Sequence, residues 1–97
     1  MTKADIVAKV SEKLGIEKGD VQATVESFME EVKSSLETGD NVYLRGFGSF
    51  INKKRAKKIA RNISLNTAIT IDEHFVPSFK PAKVFVEQVK TSVVPAE

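Results

Sequence analysis

A long apolar stripe between residues 18 and 38 limits the possible folds of this chain more than any other feature of its sequence. Its members step by four, three, one, three and four residues, which is the spacing of one face of an α-helix. We therefore predict a helix from Lys18 to Thr38, ended by Gly39-Asp40, whose apolar face consists of Val21, Val25, Phe28, Met29, Val32 and Leu36. This pattern is typical of a protein core rather than of a cofactor site.

A shorter helix is predicted before the stripe. Thr2 is a suitable N-cap with Asp5 three residues later, and Gly15 is a natural residue at which to end the helix. About twelve residues of helix are too short to cover the stripe, so something else must lie on it. Chains of 97 residues bury little core alone and often complete it by oligomerising.

The apolar period changes from that of a helix to that of a strand after Asp40. Asn41–Arg45 is predicted to be a short strand, and residues 46–48 a tight connection into a long strand that starts at Ser49. Residues 68–76 are rich in β-branched and aromatic side chains and are predicted to return as a third strand. Pro77 favours a sheet edge or a strand break because proline has no N–H.

Pro81 suits the first turn of a final helix, predicted over residues 82–91, with Phe85 and Val89 on one face. The pattern as a whole predicts an α+β fold. It begins with a helical hairpin, continues as an antiparallel sheet, and ends with a short helix.

The composition excludes several classes of function. The chain has no cysteine, which rules out a disulfide, a thiolate nucleophile and a cysteine zinc site. The single histidine, His74, cannot form a metal cluster alone and is expected to be a solvent-facing strand residue. Without a membrane span or a signal peptide, we expect a cytoplasmic protein. We also expect no metal, no cofactor and no small-molecule substrate.

Charge is strongly segregated along the chain. Residues 1–40 carry a net charge of −4, residues 41–71 carry +7 without a single acid, and residues 72–97 carry −1, which together give the total of +2. Six of the cations fall within nine consecutive positions, from Lys53 to Arg61. A basic block of this kind indicates an anionic partner.

The basic block lies between segments predicted to be strands, which distinguishes it from a disordered basic tail. We interpret residues 52–76 as one extended two-stranded ribbon with a basic outgoing strand, turning between Asn62 and Ala68. Ten strand residues reach roughly 33 Å, which makes the ribbon an arm, and its width suits a nucleic-acid groove. A solvated charged surface and a nuclear localisation signal are the alternatives, but neither explains the paired strands or the apolar tip.

Three motifs carry a resemblance to a known family: residues 46–50 (GFGSF), residues 61–62 (RN) and residues 79–83 (FKPAK). In their order and spacing the chain resembles the bacterial HU and integration host factor family over essentially its whole length, and is closer to HU. The resemblance implies an intertwined homodimer with a helical base, a saddle of strands, and two arms that wrap double-stranded DNA through the minor groove. This binding mode is established for HU and integration host factor themselves.

The resemblance also implies which residues act. The expected DNA contacts are Lys3, Arg45, Lys53, Lys54, Arg55, Lys57, Lys58, Arg61, Asn62, Ile63, Lys80 and Lys83. The expected shared core of the dimer consists of Phe28, Val32, Leu36, Phe47, Phe50 and Phe79. The family typically has proline where this chain has Ile63, at the arm tip that wedges between base pairs; isoleucine is also used as a wedge.

The expected organisation is one domain over residues 1–97. It comprises a dimerisation base (1–40), a sheet saddle (41–81) that carries the arm (52–76), and a C-terminal helix (82–91).

The expected function is largely non-sequence-specific DNA bending that compacts the nucleoid, because minor-groove edges carry a degenerate code. The alternatives are a site-specific bender like integration host factor and an RNA-binding protein, for which equal affinity for duplex RNA would be evidence. An enzyme is the weakest alternative, since the adjacent carboxylates Asp72 and Glu73 have no nucleophilic neighbour.

Overall fold

The described part of the chain contains three helices and five strands and confirms the predicted α+β class. The structure is a computed structural model that describes residues 1–62 and 67–95. In chain order the elements are α1 (Lys3–Leu14), α2 (Lys18–Glu37), β1 (Val42–Leu44), β2 (Gly48–Arg55), β3 (Lys58–Asn62), β4 (Thr67–Ile71), β5 (His74–Pro81) and α3 (Lys83–Ser92).

The first helix begins and ends as its sequence predicts. The Thr2 hydroxyl accepts a hydrogen bond from the Asp5 N–H, at 3.3 Å, and the Thr2 N–H donates to Asp5 Oδ2, at 2.9 Å. This reciprocal pair is a capping box, in which the Thr2 N–H, and after it the Thr2 hydroxyl, lowers the pKa of Asp5. At the other end Gly15 takes the left-handed conformation, with φ of 66°, and its N–H donates to the Ser11 carbonyl.

Three strands form an antiparallel sheet in the order β1-β2-β5. Pro77 lies opposite Asn52 on the edge strand β5, as its missing N–H predicts, but the strand continues through it to Pro81.

The prediction that Pro81 opens the last helix is wrong. Pro81 pairs with Gly48 at the end of β5, and the next N–H, that of Ala82, donates to the Phe47 carbonyl at 2.9 Å. Extended backbone therefore lasts through Ala82, and α3 begins one residue later.

The predicted two-stranded ribbon keeps one register but is interrupted between two ladders. The β2–β5 ladder ends at the pair Arg55–His74, and a separate two-stranded sheet, β3–β4, begins at the pair Lys58–Ile71. Residues 56–57 and 72–73 lie between the two ladders, outside both. The His74 ring bonds to the Asp72 carbonyl at 2.9 Å, so a side chain uses an acceptor that a continuous ladder would need.

A single chain is far from compact. Its Cα radius of gyration is 19.1 Å, against about 12.5 Å for a globular domain of this length. Its accessible surface is 8332 Å², against about 5500 Å² for a compact monomer of this mass. Within the described residues only three apolar side chains are buried, Val7 on α1 and Val21 and Val32 on α2. The stripe on α2 is only partly covered, as the lengths of the two helices predicted.

Four phenylalanines form a second apolar cluster where the sheet meets α3. The ring centroid of Phe79 lies 4.9 Å from that of Phe50 and 5.1 Å from that of Phe47, and the rings of Phe47 and Phe85 are stacked at 5.6 Å. Phe47 is still 46% exposed and Phe79 37% exposed in the single chain. Sequence reasoning named three of these residues for a shared core and missed the part of Phe85.

Gly48 provides a direct test of this packing. A Cβ at this position would lie 2.6 Å from the Lys80 carbonyl oxygen and 2.6 Å from the Phe79 ring. We expect Gly48→Ala to lower the free energy of unfolding by roughly 1–3 kcal/mol, because backbone and ring must both move. Denaturant unfolding at one fixed chain concentration measures it.

Gly19→Ala is the matched control for Gly48→Ala. Gly19 lies in α2, and an added Cβ there meets nothing within 4 Å. This substitution should raise stability by about 0.5–1 kcal/mol. If both variants were as stable as the parent or more so, the described packing around Gly48 would be incorrect.

Candidate nucleic-acid interface

The three-stranded sheet has one face toward the helices and one face toward solvent. Side chains alternate between the faces along each strand. The Asn52 side-chain amide donates to the Leu36 carbonyl of α2, at 3.0 Å, which identifies the face that Asn52 shares with Phe50 and Phe79 as the inner one. The opposite surface, here called the open face, carries Tyr43, Ser49, Ile51, Lys53, Arg55, His74, Val76, Ser78 and Lys80.

The open face is cationic. Lys53, Arg55 and Lys80 are exposed on it, and none of its nine residues is an acid. Lys53 and Arg55 lie two residues apart on β2 where the sheet leads into the arm, and Lys80 lies toward the other end of the sheet. Positive side chains in this arrangement form a strip along the sheet that attracts an anionic polymer.

Strand alternation separates Lys54 from its basic neighbours. Lys54 pairs in register with Phe75, on the inner face, and its Nζ lies 3.1 Å from Glu73 Oε1. Sequence reasoning treated all the arm cations as one lining. The structure brings Lys53 and Arg55 together but leaves Lys54 on the other side of the sheet, next to a carboxylate.

The outer ladder divides its cations in the same way. Lys58 and Arg61 are three residues apart on β3, so they lie on opposite faces of the β3–β4 ribbon. Lys57 lies between the ladders, and all three side chains are exposed. The Asn62 backbone pairs with Thr67, whereas Ile63, the expected wedge, lies outside the described residues.

Lys80 and two other predicted contacts gather at the far end of the sheet. Arg45 follows β1, Lys80 lies on β5, and Lys83 begins α3, yet all three line one depression of about 330 Å³. Tyr43 and Ser49 complete its polar rim. This convergence depends on strand register, which no local pattern in the sequence encodes.

Lys3 is tied to the helical hairpin. Its Nζ lies 2.8 Å from Glu26 Oε1, and both side chains are about half exposed. The hydrogen bond from Lys3, supported by one from Gln22 and by the Lys3 charge, lowers the pKa of Glu26. Lys3 therefore belongs to the helical hairpin, whereas Lys53, Arg55 and Lys80 belong to the sheet.

Residues 1–62 and 67–95 contain no helix long and apolar enough to cross a membrane. The same residues contain no group of three or more side chains able to hold a metal ion. His74 begins β5 and is exposed, as expected. Its position on the open face was not foreseen, because sequence alone does not give its partner, Arg55.

Comparison with known proteins assigns the chain to a family. The family model for bacterial DNA-binding protein matches residues 1–90. Integration host factor subunit alpha from Aliivibrio fischeri (strain MJ11) is 40% identical over 83 residues, which cover 86% of this chain and 85% of that protein. DNA-binding protein HU from Thermotoga maritima is 38% identical over 90 residues, covering 93% and 100% of the two chains.

A solved structure agrees with this assignment. An Anabaena HU–DNA cocrystal structure matches with a TM-score of 0.86 and 34% identity, over 92% of this chain and 97% of that one. The described part of the fold, the open basic face and the sequence relatives lead to the same conclusion. The chain belongs to the family of bacterial DNA-binding proteins that comprises HU and the integration host factor subunits.

Proposed function

We propose that a homodimer of this chain binds double-stranded DNA in the minor groove, bends it largely without regard to sequence, and compacts the bacterial nucleoid. Binding to duplex DNA follows from membership of the family. Bending without regard to sequence is supported by the open face, a surface with three cations and no acid that continues into the arm.

The electrostatics of the open face suit backbone binding. Each phosphate that a lysine or arginine neutralises releases condensed counterions, and this release drives binding of any sequence. The open face offers cations but few side chains suited to reading bases, since its remaining members include Ile51, Val76 and two serines. Bending would then bring more phosphates onto the sheet and the arms.

A second copy of the chain would cover apolar side chains that a single chain leaves exposed. Family membership implies a homodimer, and the single chain exposes apolar side chains on three separate elements. These include Phe28 and Met29 on α2, Phe47 beside the sheet, and Val86 and Val89 on α3. We assign Phe28, Val32, Leu36, Phe47, Phe50 and Phe79 to the shared core.

The DNA contacts are assigned in two groups. The sheet and its ends contribute Arg45, Lys53, Arg55, Lys80 and Lys83, and the outer arm contributes Lys57, Lys58, Arg61, Asn62 and the wedge Ile63. Lys54 contributes less because it is paired with Glu73 on the inner face. Lys3 would meet DNA beyond the bend, after release from Glu26.

The salt dependence of binding tests this assignment. We expect the combined substitution Lys53→Ala and Arg55→Ala to flatten the slope of log K against log salt by up to about two units per arm, because two phosphate contacts are lost. Fluorescence anisotropy with a labelled duplex, titrated at several salt concentrations, gives the slope directly.

Lys54→Ala is the matched control for that experiment. It removes a neighbouring cation from the other face of the same strand, so the slope should change by much less. Equal effects of the two variants would mean that net charge, rather than the open face, determines binding. An unchanged slope in the double variant would remove the open face from the interface.

A second candidate is site-specific bending, as in integration host factor. It is favoured by one observation, the 40% identity to an integration host factor alpha subunit. A site-specific factor would bind one duplex far more tightly than unrelated duplexes of the same length, typically by 10³-fold or more.

A further inference from the structure

We propose that His74 is a contact to the DNA backbone whose protonation strengthens binding. The inference rests on the proposed function, because it assumes that the open face meets DNA. His74 is the histidine of that face, directly opposite Arg55 in the β2–β5 ladder and diagonal to Lys53. A phosphate chain that reaches Lys53 and Arg55 must therefore pass close to the imidazole.

The hydrogen bond of the His74 ring determines which nitrogen is available. Nδ1 lies 2.9 Å from the Asp72 carbonyl oxygen. A carbonyl oxygen can only accept, so Nδ1 carries the hydrogen and Nε2 is an acceptor in the neutral ring. A neutral Nε2 presents a lone pair to a phosphate, whereas the protonated ring presents an N–H donor and a positive charge.

Side chains of both charges surround His74 in the free protein. Arg55 and Lys53 lie on its own face, and Lys57 is in the link between the ladders. The acids Asp72 and Glu73 directly precede it, but the Glu73 carboxylate is engaged by Lys54 on the inner face. A phosphate on the open face adds negative charge beside the ring, which couples proton uptake to DNA binding.

The expected result is an affinity for duplex DNA that rises as the pH falls. Between about pH 8 and pH 5.5, at constant salt, the full-length protein should bind a duplex roughly tenfold more tightly per arm. The salt slope should become steeper by about 0.9 per arm over the same interval. Asp5 and Glu26, whose pKa values are lowered, keep their charge throughout.

Two variants test the role of His74. His74→Gln keeps a polar side chain without the titration, and it should bind as the parent does at about pH 8 but lose the gain at pH 5.5. His74→Lys keeps a cation at both pH values and should bind tightly at both. The parent and the two variants differ only at residue 74, so every other group is the same in all three proteins.

The outcomes separate this inference from the proposed function. If His74→Gln retains the full pH dependence, or if the parent shows none while binding DNA, the role of His74 is refuted and the open face is not. If the parent fails to bind duplex DNA at either pH, the proposed function itself is wrong.

Discussion

Ile63→Asp is expected to abolish the bending of DNA by this protein. An apolar side chain at the arm tip can enter the stack of bases, whereas a carboxylate would lose its hydration there without gaining a partner. Unstacking costs a few kcal/mol per base step, which is recovered when the bend brings more DNA onto the protein. Energy transfer between dyes at the two ends of a duplex should fall to the value for unbent DNA.

Ile63→Pro is the control for the aspartate variant. Proline is the residue that the family typically has at this position, and it is also an established wedge. The proline variant should therefore bend DNA as the parent does. If Ile63→Asp left the energy transfer intact, Ile63 would serve only to pack the arm tip, for instance against Leu65.

Phe28→Glu is expected to prevent assembly of the dimer. Phe28 is 46% exposed in a single chain, where glutamate could remain solvated, but it lies on the stripe that we assign to the shared core. Burial of an unpaired carboxylate there would cost several kcal/mol, which is a large part of the stability of a small protein. Sedimentation at low micromolar concentration should give about twice 10.7 kDa for the parent and should show no folded dimer for the variant.

Tyr43→Glu is the matched control for Phe28→Glu. Tyr43 is also aromatic and is 72% exposed, but it belongs to the open face of the sheet. The variant should remain a dimer and lose affinity for DNA, since it adds the first acid to that face. A folded monomer of the parent protein at this concentration would contradict the proposed architecture.

Local patterns predicted the parts of the fold that depend on neighbours in sequence. The Thr2 and Asp5 box, the Gly15 end and the extent of α2 are each determined within a few residues, and each prediction was confirmed. The segregated charge also indicated a basic paired ribbon, and the strands that carry these cations do pair in the described part of the chain.

Features that depend on strand register were not predictable from the sequence alone. The separation of Lys53 and Arg55 from Lys54 follows from which face Asn52 turns toward α2, a contact between residues sixteen positions apart. The interruption between the two ladders likewise coincides with the bond between the His74 ring and the Asp72 carbonyl, which no propensity scale describes. The late start of α3 depends on the bond from Ala82 to Phe47.

The most direct test of the central claim is to measure affinity and bending together on a panel of unrelated duplexes of equal length. Titration of end-labelled duplexes by energy transfer gives both quantities in one experiment. A homodimer that reads the DNA backbone should bend every duplex, with affinities that differ by far less than the 10³-fold typical of site-specific binding. Bending confined to one sequence, or binding without bending on all of them, would contradict the proposed function.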